Sequence, residues 1–217
     1  MSAQSTTVDL LVPVKPLRLA KTRLRGDGPA GDDRAHRELA LALVRDTIAA
    51  ATAATLVRRV LAICSDPEAV RVLRADGTDV LPDEPDAGLN PALRHGARRL
   101  RADDPASAVG ALHADLPALR SAELDAAIAA FTASGAARGF CPDHAGTGTT
   151  LLLAAAGIEL DPRFGNGSAG AHRRSGAVEL DGPWPTLRRD VDTRTDLAAA
   201  TRLGVGVYTA AVIGAVS

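Results

Sequence analysis

The stretch Ala108-Val-Gly-Ala-Leu-His-Ala-Asp-Leu-Pro117 constrains this chain more than any other. Its first five residues are small or apolar, as in a parallel strand covered on both faces. Pro117 has no N–H for a ladder, so the strand must stop before it. Asp115 is thereby left at the C-terminal edge of the strand, where open α/β sheets bind their ligands. A carboxylate there either faces a cleft as an oxygen ligand for a divalent cation or caps the next turn.

The rest of the chain reads as strands and helices in alternation. Strands are expected over residues 8–14, 59–65, 79–81, 138–141, 150–156 and 187–191. Helical periodicity covers 32–54, 67–75, 91–101 and 195–203, and another helix opens at Ser121. Such alternation predicts an α/β fold with a mostly parallel central sheet and right-handed crossovers. A length of 217 residues suits a single domain spanning 1–217. Residues 138–185 alternate less cleanly and read as a small antiparallel flap over the strand ends.

Bulk properties narrow the function. Hydrophobic residues make up 46% of the chain but aromatics only 2%, so Ala, Val, Leu and Ile must build the core. Few aromatic platforms exist for stacking bases, and a net charge of −1 offers no basic field, which argues against a nucleic-acid partner. No apolar run is long enough to span a bilayer, and no basic segment followed by an apolar run opens the chain. Cys64 and Cys141 lie far apart without metal-ligand spacing, as in a reduced cytoplasmic protein.

Several stretches carry chemistry. Lys15, Lys21 and Arg23, with the hydroxyl of Thr22, come after the first strand and so share the edge occupied by Asp115. They either converge on phosphates or form a solvated loop. The loop lacks the glycines of a Walker or dinucleotide motif. Asp190 and Asp192 alternate on an expected strand and would share a face. Together with Asp115 they can hold Mg²⁺ whose remaining ligands are phosphate oxygens; alternatively, Asp192 or Thr193 caps the last helix. Gly146-Thr-Gly-Thr-Thr150, including Thr149 and Thr150, is either an anion-binding nest or an ordinary turn. Gly165-Asn-Gly-Ser168 offers a helix start to an anion, with Arg163, His172, Arg173 and Arg174 adding charge; otherwise Ser168 is only an N-cap. In Gly88-Leu-Asn90, Asn90 either reads a base edge or caps the helix at Pro91. His36 and His95 read as helix-surface residues. A cation, a basic loop and a second anion site fit nucleotidyl transfer with pyrophosphate as leaving group.

Taken in order, Pro13-Val-Lys15, Ala20-Lys-Thr-Arg-Leu24, Gly88-Leu-Asn90, Asp115-Leu-Pro117, Gly146-Thr-Gly-Thr-Thr150, Arg163-Phe-Gly-Asn-Gly-Ser168 and Asp190-Val-Asp-Thr193 resemble the phosphoenolpyruvate/2-phospho-L-lactate guanylyltransferase family of coenzyme F420 biosynthesis. The resemblance covers nearly the whole chain. It implies a three-layer nucleotidyltransferase-like (Rossmann-like) fold and the condensation of GTP with phosphoenolpyruvate to enolpyruvoyl-2-diphospho-5'-guanosine. It also implies phosphoenolpyruvate on Thr150, Gly165 and Ser168, and Mg²⁺ on Asp115 and Asp190. GTP phosphates would lie on residues 15–23 and guanine near Asn90, with the downstream F420 transferase as a partner. Two features depart from the family pattern: Ala114 stands where a glycine is usual, and Cys141-Pro-Asp-His-Ala145 is unusual before the Gly-Thr loop. The same fold with 2-phospho-L-lactate, 3-phosphoglycerate or another acceptor, or a nucleotide-binding protein without catalysis, are the alternatives.

Overall fold

The computed structural model describes residues 7–18 and 33–215. Strands β1 (Val8–Pro13), β2 (Val57–Ile63), β3 (Asp79–Leu81), β4 (Ala108–Leu112), β5 (Arg138–Pro142), β6 (Thr149–Ala154) and β7 (Val178–Glu179) form one sheet in the order β3-β2-β1-β4-β6-β5-β7. Neighbouring pairs among β1–β4 are parallel, β6 runs antiparallel to β4 and β5, and β7 is parallel to β5. The helices are α1 (Asp33–Thr52), α2 (Pro67–Ala75), α3 (Leu89–Asp103), α4 (Ser121–Ser134), α5 (Ser168–Arg174), α6 (Arg194–Leu203) and α7 (Val207–Gly214).

The period of two in β1 divides the core. Leu10 and Val12 point into one cluster with Val44, Ile48 and Ile128, from α1 and α4. Leu11 points the other way, against Leu93 and Leu100 of α3. Each face is therefore covered by helices, giving the expected three layers. Gly96 lets α3 lie close on the sheet: a Cβ there would stand 2.9 Å from a methyl of Leu11. Among the described residues no helix is long and apolar enough to cross a membrane.

Three expectations are corrected. The antiparallel strands expected as a flap within 138–185 belong instead to the main sheet, where β6 runs antiparallel to β4 and β5 and β7 follows β5. All six residues of β6 are buried, which leaves no solvent face for a flap strand. The strand at 187–191 is a turn leading into irregular chain. Leu187 and Val191 are fully buried, but their N–H groups go to Glu123 Oε2 and to the carbonyl of Asp115 rather than to a ladder. His36, expected on a helix surface, is buried.

Helix α7 lies beyond the elements read from the sequence. Its cap comes from Asp46, 162 residues away, whose carboxylate accepts the N–H groups of Tyr208 and Thr209 at 3.0 and 2.8 Å. A Cβ on Gly206 would overlap Asp46 Oδ1 at 2.2 Å, so the glycine makes room for this cap.

Candidate active site

Parallel pairing puts the exits of β1 to β4 on one edge of the sheet, and antiparallel β6 begins there. A cavity of about 350 Å³ opens along this edge. Its wall includes Lys15 after β1, Asp83 and Gly88 after β3, His113 and Asp115 after β4, and Asp192. Three strand spacings separate β3 from β4, roughly 14 Å, so the cavity runs lengthwise across the parallel half of the sheet. The volume and mixed lining suit a small-molecule site.

β4 ends at Leu112, three residues before Asp115, and the N–H of His113 adds one more bond, 2.9 Å to the carbonyl of Thr150. Thr47 of α1 then takes hold of the turn. Its Oγ1 accepts the N–H of Leu116 at 2.9 Å and donates towards the carbonyls of Leu43, at 2.9 Å, and Ala114, at 3.2 Å. Asp115 does not cap α4, whose N-cap is Arg120. Nor does Asp192 cap α6: Thr193 and Asp196 form the complete capping box. Of the two residues the sequence offered as the cap of the last helix, Thr193 takes that role.

The N–H of Val191 meets the carbonyl of Asp115 at 3.0 Å, so the Asp190–Asp192 turn reaches the tip of β4. Asp115 and Asp192 line the cavity, whereas Asp190 does not. The alternating strand expected to carry both aspartates is absent, since this segment is irregular chain. Among the described residues no three His, Cys, Asp or Glu side chains group closely enough to cage an ion. Two hard carboxylates on one cavity wall still suit a divalent cation that takes its remaining ligands from phosphate oxygens and water.

Lys15 is exposed on the cavity wall, and Asp66 steadies its loop by accepting the N–H of Leu17 on Oδ2 at 3.0 Å while Oδ1 caps α2. Lys21 and Arg23 lie outside the described residues.

Asp83 carries no signal in the sequence beyond its place in a Pro-rich loop. Its Oδ1 is buried on the cavity wall and makes no hydrogen bond among the described residues. Burial, with a smaller contribution from Asp86, pushes its carboxyl above the usual range.

The Gly146–Thr149 loop is closed by Asp143, whose Oδ1 accepts the N–H of Thr147 and whose carbonyl accepts that of Gly146. A Cβ on Gly148 would stand 2.4 Å from Asp143 Oδ2. The unusual stretch before the loop thus supplies its organiser. The N–H groups of Gly146 and Thr147 are thus already taken within the loop. Thr149 and Thr150 are buried; Thr150 Oγ1 faces the carbonyl of Cys141 at 3.4 Å.

Thr149 Oγ1 lies 2.9 Å from His172 Nδ1, and His172 Nε2 accepts the N–H of Arg163 at 3.0 Å. Since Nε2 accepts, the neutral ring carries its proton on Nδ1 and donates it to Thr149. Burial holds the pKa of His172 down to about 4, so it adds no positive charge, contrary to the expectation for residues 172–174. Ser168 is the first residue of α5 rather than its cap, which is Gly167.

Asn90 neither caps α3, which starts from Gly88, nor turns both amide atoms to the cavity. Its Oδ1 accepts the N–H of Phe164 at 2.8 Å and its Nδ2 donates to the carbonyl of Phe164 at 2.9 Å. Gly88 lines the cavity with a φ of 97°, a conformation that suits glycine.

A doubly covered, mostly parallel sheet with acidic and basic groups around a cavity at its C-terminal edge defines a nucleotidyltransferase-type α/β protein. Residues 31–174 match the MobA-like NTP transferase domain. A putative nucleotide-diphospho-sugar transferase from Desulfovibrio desulfuricans G20 shares the fold, with a TM-score of 0.63 at 15% identity over 97% of this chain and 94% of that one. Phosphoenolpyruvate guanylyltransferase of Salinispora arenicola is 51% identical over 94% of this chain and 92% of its own. The protein of that name in Geodermatophilus obscurus is 53% identical over 94% and 93%. The chain belongs to the phosphoenolpyruvate guanylyltransferase family.

Proposed function

We propose that this protein transfers the guanylyl group of GTP to phosphoenolpyruvate, giving enolpyruvoyl-2-diphospho-5'-guanosine and pyrophosphate in coenzyme F420 biosynthesis. The observation that carries this reading is the meeting of Lys15, Asp115 and Asp192 on one cavity in a chain about half identical to phosphoenolpyruvate guanylyltransferases.

An oxygen of the acceptor phosphate attacks the α-phosphorus of GTP as the bond to the β-phosphate oxygen breaks. The acceptor is already an anion, so its attack needs no general base. Lys15, joined by Lys21 and Arg23, meets the charge that grows on the departing pyrophosphate. Asp115 and Asp192 would hold Mg²⁺, which would supply positive charge to neutralise the phosphates. Thr150, Gly165 and Ser168 hold the carboxylate and phosphate of the acceptor. Thr149, through His172, fixes the start of β6 beside them.

Guanine lies towards the β3 end, beside Gly88, while both amide atoms of Asn90 are taken by Phe164. There Asp83 accepts the N1–H and 2-amino protons of the base, the donors that distinguish guanine from adenine. Two buried free cysteines suit the reducing cytoplasm, where the product passes to the downstream F420 transferase.

The test is incubation of the protein with GTP, Mg²⁺ and phosphoenolpyruvate, 2-phospho-L-lactate or 3-phosphoglycerate in turn, with and without the downstream transferase. Pyrophosphate release and a product mass matching the enolpyruvoyl adduct are expected. GTP binding without release for any acid is the result expected of a non-catalytic nucleotide binder and rejects the proposal.

A further inference from the structure

We propose that Asn90 is a positioning residue for the acceptor, tying the loop that begins at Phe164 to the nucleotide wall of the cavity. The inference rests on the reading that Gly165 and Ser168 hold the acceptor.

A carboxamide presents a donor and an acceptor in one plane, as a peptide unit does. Asn90 uses both on one residue, taking the N–H of Phe164 at 2.8 Å and giving to its carbonyl at 2.9 Å. The preceding N–H, that of Arg163, goes to His172 Nε2 at 3.0 Å. Two successive N–H groups are thus held by side chains of different helices, α3 and α5.

Beyond Phe164 the chain passes through Gly165 at a φ of 142° and Gly167 at 69°. Glycines in these conformations lose the most freedom on ordering, so such a loop is placed by its anchor rather than by its own stiffness. The Phe164 ring, 8% exposed, is held between His113 and His172, with centroids 5.2 and 5.1 Å away. His113 lines the same cavity, two residues before Asp115, and Gly88 and Leu89 line it immediately before Asn90. One turn of α3 therefore walls the nucleotide and holds the acceptor loop. Asp in place of Asn keeps the acceptor of the Phe164 N–H but turns a second oxygen on the Phe164 carbonyl. Ala makes neither bond.

Acceptor choice depends on this register. Phosphoenolpyruvate is planar at the carbon bearing the phosphate and 2-phospho-L-lactate is tetrahedral there, a difference that only a fixed loop can read.

Steady-state kinetics of the full chain, Asn90→Ala and Asn90→Asp, with GTP and phosphoenolpyruvate varied separately, tests this. Both variants should raise KM for phosphoenolpyruvate at least about tenfold, which is about 1.4 kcal/mol. KM for GTP should move less than about threefold, and the preference for phosphoenolpyruvate over 2-phospho-L-lactate should shrink. Amide exchange at Phe164 should accelerate in Asn90→Ala, which removes the acceptor of its N–H. A KM increase as large for GTP overturns the proposal in favour of base contact by Asn90. Loss of thermal stability with both KM values unchanged overturns it in favour of a purely structural bond. Should the unaltered protein make no product, the proposed function fails. The positioning claim is then decided by titrating phosphoenolpyruvate alone into the three proteins: equal affinities, or unchanged Phe164 exchange in Asn90→Ala, overturn it.

Discussion

Val191 donates its backbone N–H to the carbonyl of Asp115 at 3.0 Å, which brings the last acidic turn of the chain to the tip of its central strand. Seventy-six residues separate the two in sequence. The bond is made by main-chain atoms and uses neither the Asp115 nor the Asp192 side chain. Asp115→Asn and Asp192→Asn should each lower kcat at least about a hundredfold, with far-UV circular dichroism unchanged. Asp190→Asn should act more weakly, because Asp190 does not line the cavity. Full activity in Asp115→Asn would reject the metal assignment.

The base prediction rests on Asp83. Its buried Oδ1 has no hydrogen bond among the described residues, and two guanine donors would satisfy it. Asp83→Asn should shift the GTP-to-xanthosine-triphosphate ratio of kcat/KM at least about tenfold towards xanthosine triphosphate. The amide can donate to the xanthine C2 oxygen where the carboxylate repels it. A ratio that does not move would take Asp83 out of the base site.

Thr47 offers a test of how Asp115 is held. Thr47→Val keeps the shape but leaves the buried N–H of Leu116 unsatisfied, which costs about 1–3 kcal/mol. Calorimetry should show Tm lower by about 3–10 °C, with kcat reduced because the turn carrying Asp115 loosens. An unchanged Tm would mean that another group takes up the N–H.

His172 gives the protein a pH dependence of known sign. Its pKa is held at about 4 in the folded state, against an ordinary value of 6.5. Between these values the unfolded chain binds the extra proton and the folded one does not, so stability rises with pH across the window. The contribution is complete above pH 6.5, is lost as pH falls towards 4, and amounts to at most about 3 kcal/mol. Denaturant titrations from pH 4 to 7 should show this slope, and His172→Gln should flatten it. An equally steep slope in the variant would assign it to other groups.

The helices and strands are largely legible in the sequence because their burial patterns are local. The apolar runs of β1, β4 and β6 require a doubly covered sheet, and α2 has the bounds its periodicity predicts, 67–75. Where the backbone partner is remote, the pattern misleads. Leu187 and Val191 look like strand residues because they are buried, but their N–H groups go to Glu123 and Asp115. Helix α7 escapes a local reading because Asp46 caps it from 162 residues away.

The order of motifs by itself determined the family and the edge of the sheet on which the chemistry sits, since residue types and strand direction are written in the primary chain. Which atoms face the cavity was decided only by tertiary structure. Asn90 carries the same donor and acceptor whether it reads a base or grips Phe164. His172 is the same imidazole whether it is charged or neutral. Desolvation and the position of a hydrogen-bond partner far along the chain choose between those states, and both exist only once the layers have packed.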